Sequence, residues 1–484
     1  MIPKIIRIMV NKFQGSEESH MSQNEVQSIG YLPDERPPFF KLVLYALQQV
    51  IVMFPATVTV AIITGFHIST TIFASGLATF CFILVTGRKI PLYYGSSFSY
   101  ISAIAGIMAA KAAEGADLNT QIQTAQFGII MSGFVSIFAG LIIKRFGTES
   151  IEKVLPATIT GPIAMSIGLT LAANALLDAC AVPAGVAEES IDLVRNYAWT
   201  ISLITLLSTI FFTVYLKGFA GQLTLLFGPI VGCLVTVLIS KFTGFDFFRT
   251  LSEGNGTGLF ALPVFTLPKP SLAAVAAIMP IAIATIPEST AHLYQLDIYV
   301  NNLAKLKKSE KRYNIADKLG LNLMGDGIAD IVSALVGGPA GTNYGENISA
   351  MTITRVFSVP VLIAASVIAM IISCFRPLIN AIYAIPQPVI GGLEIYLFGA
   401  IAAQGIAIMV DKKVDFFDAQ SIALIASIMV IGVGGQYAFG GSIPFFGIQV
   451  PCIAGAAIFG IVLNLLLSFG KKPALSTQNG TKSE

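Results

Sequence analysis

The sequence predicts an all-α integral membrane protein of 14 transmembrane segments, arranged as two inverted halves of seven. Three observations predict it: the composition, the spacing of apolar runs, and a short motif that occurs twice. The 484-residue chain is 55% hydrophobic and 12% charged, whereas soluble domains carry about 25% charged residues. A soluble fold this apolar has too little polar side chain to cover its surface, and the mean hydropathy of +0.77 agrees. The net charge of +2 offers no strong field for nucleic acid. The five cysteines (Cys81, Cys180, Cys233, Cys374, Cys452) are scattered without a CxxC pair. That spacing suggests small buried side chains, not a metal site or a disulfide framework.

A membrane helix needs roughly 20 mostly apolar residues. Candidate spans fall near 40–64, 68–87, 91–110, 124–143, 155–177, 197–216, 220–240, 271–294, 318–337, 343–354, 358–375, 388–410, 417–435 and 451–469. Residues 1–38 are polar, include the run Ser-Glu-Glu-Ser-His at 16–20, and lack the apolar core of a signal peptide. They read as a cytoplasmic tail, and Lys471 to Glu484 as a second one. Basic residues in the loops set orientation. With both tails inside, the inner loops carry Arg88, Lys89, Lys144, Arg145, Lys153, Lys217, Lys305, Lys307, Lys308, Lys311, Arg312, Lys318, Arg355, Lys412 and Lys413. The outer loops carry Lys111, Arg195, Lys241, Arg249, Lys269 and Arg376. This asymmetry, fifteen against six, predicts a multi-pass protein of the cell membrane with cytoplasmic termini. Twelve crossings also fit if the segments at 91–110 and 343–354 are re-entrant.

Those two segments carry the repeat. Tyr94-Gly95-Ser96-Ser97-Phe98-Ser99 resembles Tyr344-Gly345-Glu346-Asn347-Ile348-Ser349, 250 residues later. The copies fall in the third and tenth segments. An odd offset of seven gives the halves opposite topology, the pattern of inverted repeats with a site between paired broken helices. A break at membrane depth must face protein or a cavity, because lipid satisfies no backbone group. Half-helix N-termini expose free N–H donors with partial positive charge. Neutral heterocycles with carbonyl groups suit such a patch, and so do small anions.

Intramembrane carboxylates decide between them. Glu288 lies in the eighth span within Thr285-Ile-Pro-Glu-Ser-Thr-Ala-His292, and Glu346 lies at the tenth-segment break. His292 shares a helical face with Glu288; alternatively it is a satisfied histidine near the helix end. Two acidic groups disfavour an anion and favour a substrate with N–H donors, a cation, or both. Burial disfavours the charged carboxylate, so either group could take up a proton during a transport cycle. Glu394, in Gly391-Gly392-Leu393-Glu394-Ile395-Tyr396, either lines a gap between moving parts or bonds a neighbouring helix. Asp326 and Asp330 are expected near a segment end. Pro55 and Pro287 are expected to kink their helices. The glycine-rich run Ile431 to Gln436 lacks the strand context of a phosphate loop. A membrane-embedded enzyme would need a metal-ligand cluster or a Ser/His/Asp set, and neither pattern occurs.

At these residues the sequence resembles the nucleobase–ascorbate transporter family, on its uracil and xanthine permease side. The family signature has an acidic or amide residue, Asn-x-Gly, four residues, then Thr-Arg. Here it reads Glu346-Asn347-Ile348-Ser349-Ala350-Met351-Thr352-Ile353-Thr354-Arg355, with Ser349 for glycine. Gly95-Ser96-Ser97-Phe98 and Glu288-x-x-x-His292 are similar to the family as well, and the likeness runs from about residue 39 to 470.

The resemblance implies two inverted sevens with short strands before the half-helices of segments three and ten. It implies a core domain at 39–148 and 246–385 and a gate domain at 149–245 and 386–470, flanked by tails at 1–38 and 471–484. Glu288 would accept a base N–H, and His292 would act through a water. The N–H groups at Phe98 and at Gly345–Glu346 would hold carbonyls, with Ser97 beside them. Tyr344 would line the pocket, and Glu346 would pair with the base and carry coupling. A homodimer importing a nucleobase by proton symport follows, with the proton as coupling ion and no cofactor. Uracil is favoured over xanthine or uric acid; an anion transporter of the same architecture should lack Glu288. One departure stands out. The family has Gln-His in the first span, and here the pair is Gln48-Gln49. Gln49 cannot titrate but can hydrogen-bond Glu346, so the proton must reside on the carboxylates or His292.

Overall fold

The computed structural model describes residues 30–147, 155–217, 220–249, 258–446 and 448–468. Residues 1–29 of the expected N-terminal tail, Lys153 and the C-terminal tail at 471–484 lie outside the described residues. Helices α1 (Phe39–Thr64) and α2 (Ile68–Val85) lead to strand β1 (Tyr94–Ser96), a 3-10 turn at Phe98–Tyr100 and α3 (Ile101–Ala113). Then come α4 (Leu118–Phe146), α5 (Ala157–Thr170), α6 (Ala172–Ala179), α7 (Ile191–Tyr215) and α8 (Thr224–Thr243). The second half runs α9 (Leu272–Ile278), α10 (Ala282–Leu306), α11 (Leu319–Val336), β2 (Gly341–Asn343), α12 (Gly345–Thr354) and α13 (Val359–Ile372). It ends with α14 (Arg376–Tyr383), α15 (Gln387–Asp411), α16 (Ala419–Met429), α17 (Gly435–Phe439), a hairpin of β3 (Ser442–Phe445) and β4 (Ile448–Pro451), and α18 (Cys452–Ser468).

Among the described residues, ten helices are long and apolar enough to cross a membrane. Shorter apolar helices cover Phe98–Ala113, Val359–Ile372 and Cys452–Ser468. Length alone thus gives ten spans where the sequence predicts 14, because two runs are broken at the strands and two others, α13 and α18, form short helices. Pro55 and Pro287 lie inside α1 and α10. The glycine-rich run near Ile431 forms a π-helical turn at Val430–Gly434 within α16–α17, a packed helix and not a phosphate loop.

The helices pack in two sets. In the first, α11 lies against α2 and α4, α13 against α1 and α2, α9 and α3 against α4, and α12 against α1 and α10. In the second, α15 lies against α5, α6, α7 and α8, and α16 against α5 and α18. Lipid supplies no hydrophobic force between helices, so close backbone approach does that work. The α4–α11 seam shows how. A Cβ on Gly133 would come within 2.5 Å of the Gly327 carbonyl oxygen, and one on Gly140 within 2.5 Å of the Gly320 oxygen. The glycines are seven residues apart on each helix, so both contacts fall on one face.

The described end of the N-terminal segment is tied to the first set. Tyr31 N–H donates to the Arg355 carbonyl at 2.9 Å, just beyond α12. Lys307 bonds both Glu35 (2.6 Å) and the Gly30 carbonyl (2.9 Å). The end of α12 and the turn after α10 are thereby held together.

Gly133→Val is expected to lower the melting temperature of the detergent-purified protein, since overpacking costs about 1–3 kcal/mol. Gly106→Ala, with nothing within 4 Å of the added carbon, is the matched control and should melt like wild type.

Candidate functional site

The site is built on the two chain breaks. At each break three residues are extended, then a helix starts. Extended backbone in a membrane needs partners, and the two breaks supply each other. β1 and β2 pair antiparallel, with Tyr94 opposite Asn343, Gly95 opposite Thr342 and Ser96 opposite Gly341. Beyond the ribbon, Ser97 N–H donates to the Ala340 carbonyl at 3.0 Å and Tyr344 N–H to the Tyr93 carbonyl at 2.9 Å. On the α2 side, Ser75 and Thr79 hydroxyls donate to the Tyr94 carbonyl, each at 2.9 Å, and Thr79 accepts from Tyr94 N–H. Gly95 and Gly341 are required here: a side chain on either would meet the Tyr344 or Tyr94 ring.

Antiparallel pairing sends the two half-helices away in opposite directions, so both N-termini point at the ribbon. The first N–H groups of a helix have no intrahelical acceptor. Phe98 opens the first turn, and Gly345, Glu346 and Asn347 open α12. Around these donors lies a group of half-buried residues: Phe98, Ser99, Glu288, His292, Gly345 and Glu346. The ribbon itself, from Tyr94 to Ser97 and Gly341 to Tyr344, is buried. Glu288, on α10, faces the Ser99 hydroxyl and the Glu346 carboxyl. His292, one turn on, lies against Gly345, its Nε2 only 2.8 Å from where a Cβ would be. The arrangement sets two carboxyl acceptors opposite fixed N–H donors, with an aromatic ring beside them.

The structure gives some predicted residues other jobs. Ser97 is 1% exposed, and its hydroxyl oxygen accepts from Ser99 N–H at 3.3 Å, so it caps the turn. Tyr344 is buried, and its hydroxyl donates to the Ser96 carbonyl at 2.9 Å and meets Thr57 at 3.0 Å. It is a strut between the breaks and α1, not an open lining residue. Gln49 pairs with Asn347, whose side-chain amide donates to the Gln49 carbonyl and side-chain oxygens at 2.9 Å each. The expected Gln49–Glu346 bond is absent, because consecutive helical residues point about 100° apart. Glu346 faces the site while Asn347 faces α1.

Asp326 and Asp330 are not near a segment end, contrary to the expectation from the sequence. They lie in the middle of α11, buried, behind the ribbon. Asp330 accepts from Gly341 N–H at 2.8 Å and from the Tyr94 hydroxyl. Asp326 accepts from Ser289 at 2.6 Å and Asn343 at 3.2 Å. The signal for Asp330 was present: it shares a face with Asp326, four residues earlier, on an apolar helix. The role of Ser99 had no such signal, since only the fold brings it to Glu288.

The chain is similar to known proteins. The permease family designated Xan_ur_permease matches residues 40–441. The chain is 34% identical over 444 residues to the uracil permease of Bacillus caldolyticus, covering 90% of this chain and 93% of that protein. It is 32% identical over 449 residues to the uracil permease of Bacillus subtilis, covering 91% of this chain and 96% of that protein. Among solved structures, the transmembrane domain of a cyanobacterium bicarbonate transporter, BicA, is similar with TM-score 0.56 at 14% identity, covering 89% of this chain and 99% of that one. At that identity the likeness shows a common fold. With the family match spanning most of the sequence and relatives above 30% identity over nine-tenths of it, the chain belongs to the Xan_ur_permease family and is a multi-pass membrane transporter, not an enzyme.

Proposed function

We propose that the protein imports a nucleobase, uracil above others, by proton symport across the cell membrane. The observation that carries this reading is the opposition of Glu288 and Glu346 to the helix-start N–H groups of Phe98 and Gly345. Uracil presents two N–H donors and two carbonyl acceptors. Carboxyl oxygens accept the former, half-helix N–H groups donate to the latter, and Phe98 offers a ring for stacking. The names of the two Bacillus relatives support the same substrate. Xanthine or uric acid has the same edge chemistry on a wider ring and is the sibling reading. An anion is disfavoured by two facing carboxyl groups, although a bicarbonate transporter shares the fold.

Transport follows from the two helix sets acting as core (α1–α4, α9–α14) and gate (α5–α8, α15–α18). We count the ten long helices, the three shorter apolar ones and α12 as 14 segments in two inverted sevens, with both termini cytoplasmic and the protein a homodimer. An apolar cluster of Val60, Ile101, Leu171, Leu393 and Leu397 with Phe98 seals core to gate on one side of the site. A cavity of about 700 Å³ lies between α10, α5 and α15, reaching from Ile286 and Pro287 to Tyr299 and Lys412. The seal on one side and the cavity on the other fit an inward-facing state of an alternating-access cycle. Gln49 is engaged by Asn347 and cannot titrate, so Glu346, Glu288 and His292 carry the coupling proton.

Glu288→Gln and Glu346→Gln are each expected to cut uracil uptake while leaving membrane insertion intact. Losing a hydrogen bond to a charged acceptor costs about 1.5–3 kcal/mol, or roughly 10- to 100-fold in affinity. Normal uptake by the Glu288 variant would sink the site assignment. In a second measurement, labelled uracil uptake is challenged with excess uracil, thymine, 5-fluorouracil and xanthine, with and without a protonophore. Pyrimidines should compete better than xanthine, and the protonophore should abolish accumulation. Stronger competition by xanthine would move the assignment to purines, and accumulation that survives the protonophore would remove proton coupling.

A further inference from the structure

Glu394 takes no part in the site above. It sits on α15, inside the gate set, and is 0% exposed. It therefore does not line a gap between moving parts. Neither of its carboxyl oxygens accepts a hydrogen bond. Its helical turn is wedged between two neighbours. On one side, the carbonyl carbon of Asp178 lies 2.5 Å from where a Cβ on Gly391 would be; on the other, Thr205 of α7 lies 3.0 Å from that point on Gly392. On α7 the Thr205 hydroxyl is given to the Ile201 carbonyl at 2.8 Å, and the buried Ser202 hydroxyl bonds neither Glu394 oxygen.

The group that faces Glu394 is another acid. The Asp178 carboxyl, near the end of α6, is within hydrogen-bonding reach of the Glu394 carboxyl and of the Gln387 side chain. Two ionised carboxylates in that position repel, and an ionised Glu394 would be buried with no hydrogen bond to its oxygens. A proton on Glu394 removes both problems. Its O–H donates to Asp178, which stays ionised beside Arg249. That guanidinium is anchored by Nε to the Ile385 carbonyl at 2.9 Å and by Nη1 to Gln387 at 3.4 Å. Asp178 is half-buried, which gives the pair a route to solution.

Among the described residues, no charged group beyond Arg249 faces the pair. Helix α5 has no charged residue. On α7, Asp192 and Arg195 pair with each other at 2.7 Å near the exposed N-terminal end. Lys241 lies in the exposed last turn of α8, and Asp411 at the far end of α15. The loop before α9 brings Asp246, exposed and capping Phe248 N–H at 2.9 Å.

We propose that Glu394 and Asp178 form a proton-binding site within the gate, separate from the substrate site, in which Glu394 holds the proton and Asp178 accepts its hydrogen bond. Losing that proton leaves two anions at the α6–α15 contact, so the contact weakens as pH rises. Infrared difference spectra of the full-length protein in lipid vesicles at neutral pH, wild type against Glu394→Gln, should show a protonated carboxylic-acid carbonyl band that the variant lacks. Asp178→Asn should shift that band. An amide keeps the shape and a donor, so Glu394→Gln should fold, and its melting temperature should fall less than that of wild type from mildly acidic to alkaline pH. A carboxylate band in place of the acid band overturns the proposal. So does a Glu394→Gln protein that fails to fold while Glu394→Asp folds, because the position would then require charge.

Discussion

Everything at the centre of this protein depends on one constraint: a peptide group at membrane depth must find its hydrogen bond inside the protein. The chain breaks its helix twice, at Tyr94–Ser96 and Gly341–Asn343. Either break alone would strand backbone donors and acceptors. Placed antiparallel, each becomes the other's partner. The remaining groups are taken by Ser75, Thr79 and Asp330. The ribbon is thus a solution to a backbone problem, and the site is its by-product. Because the strands are antiparallel, the helices after them diverge, and their N-termini are left facing one small volume.

That origin explains why the site is polar without being charged by cations. Half-helix N-termini supply donors at fixed positions, with no side chain to reorganise. Glycine at 95 and 341 lets the strands and the Tyr344 and Tyr94 rings stack closely. Tyr344 then locks the geometry by reaching back to Ser96 and across to Thr57 on α1. Glu288 and His292 arrive on a different helix, α10, whose Pro287 lies beside Glu288.

Much of this is legible in the sequence. The apolar runs give ten of the fourteen segments to within about four residues, because a lipid-facing segment must be apolar along its length; α3, α4, α7 and α10 each differ by six or more at one end. The repeated Tyr-Gly marks both breaks. The Glu288–His292 spacing gives one face of α10 correctly, since i and i+4 share a face on any helix. What stays hidden depends on rotation and partner choice. Gln49 is placed beside α12 correctly, but a single residue of register decides that Asn347 meets it and not Glu346. Ser97 looks like a substrate donor and is consumed as a cap. Asp326 and Asp330 look peripheral because α11 follows a basic loop, yet the helix carries them inward to hold the ribbon.

The buried carboxyl groups of the core separate by their partners. A carboxylate has room for about four hydrogen bonds. Asp330 accepts from Gly341 and Tyr94 through Oδ1, and Asp326 from Ser289 and Asn343 through Oδ2, its Oδ1 having no partner. Those two hold the ribbon's strands and adjoining helices in register. Glu288 and Glu346 face mainly each other, Ser99 and the backbone of α12. Their remaining acceptor capacity points into the half-buried space between the breaks. A ligand with N–H groups satisfies it, and a proton relieves the repulsion between the two acids when no ligand is there. In the proposed transport cycle, substrate and proton answer the same local deficit, and the proposed coupling needs no histidine on α1 because both would act on the Glu288–Glu346 pair.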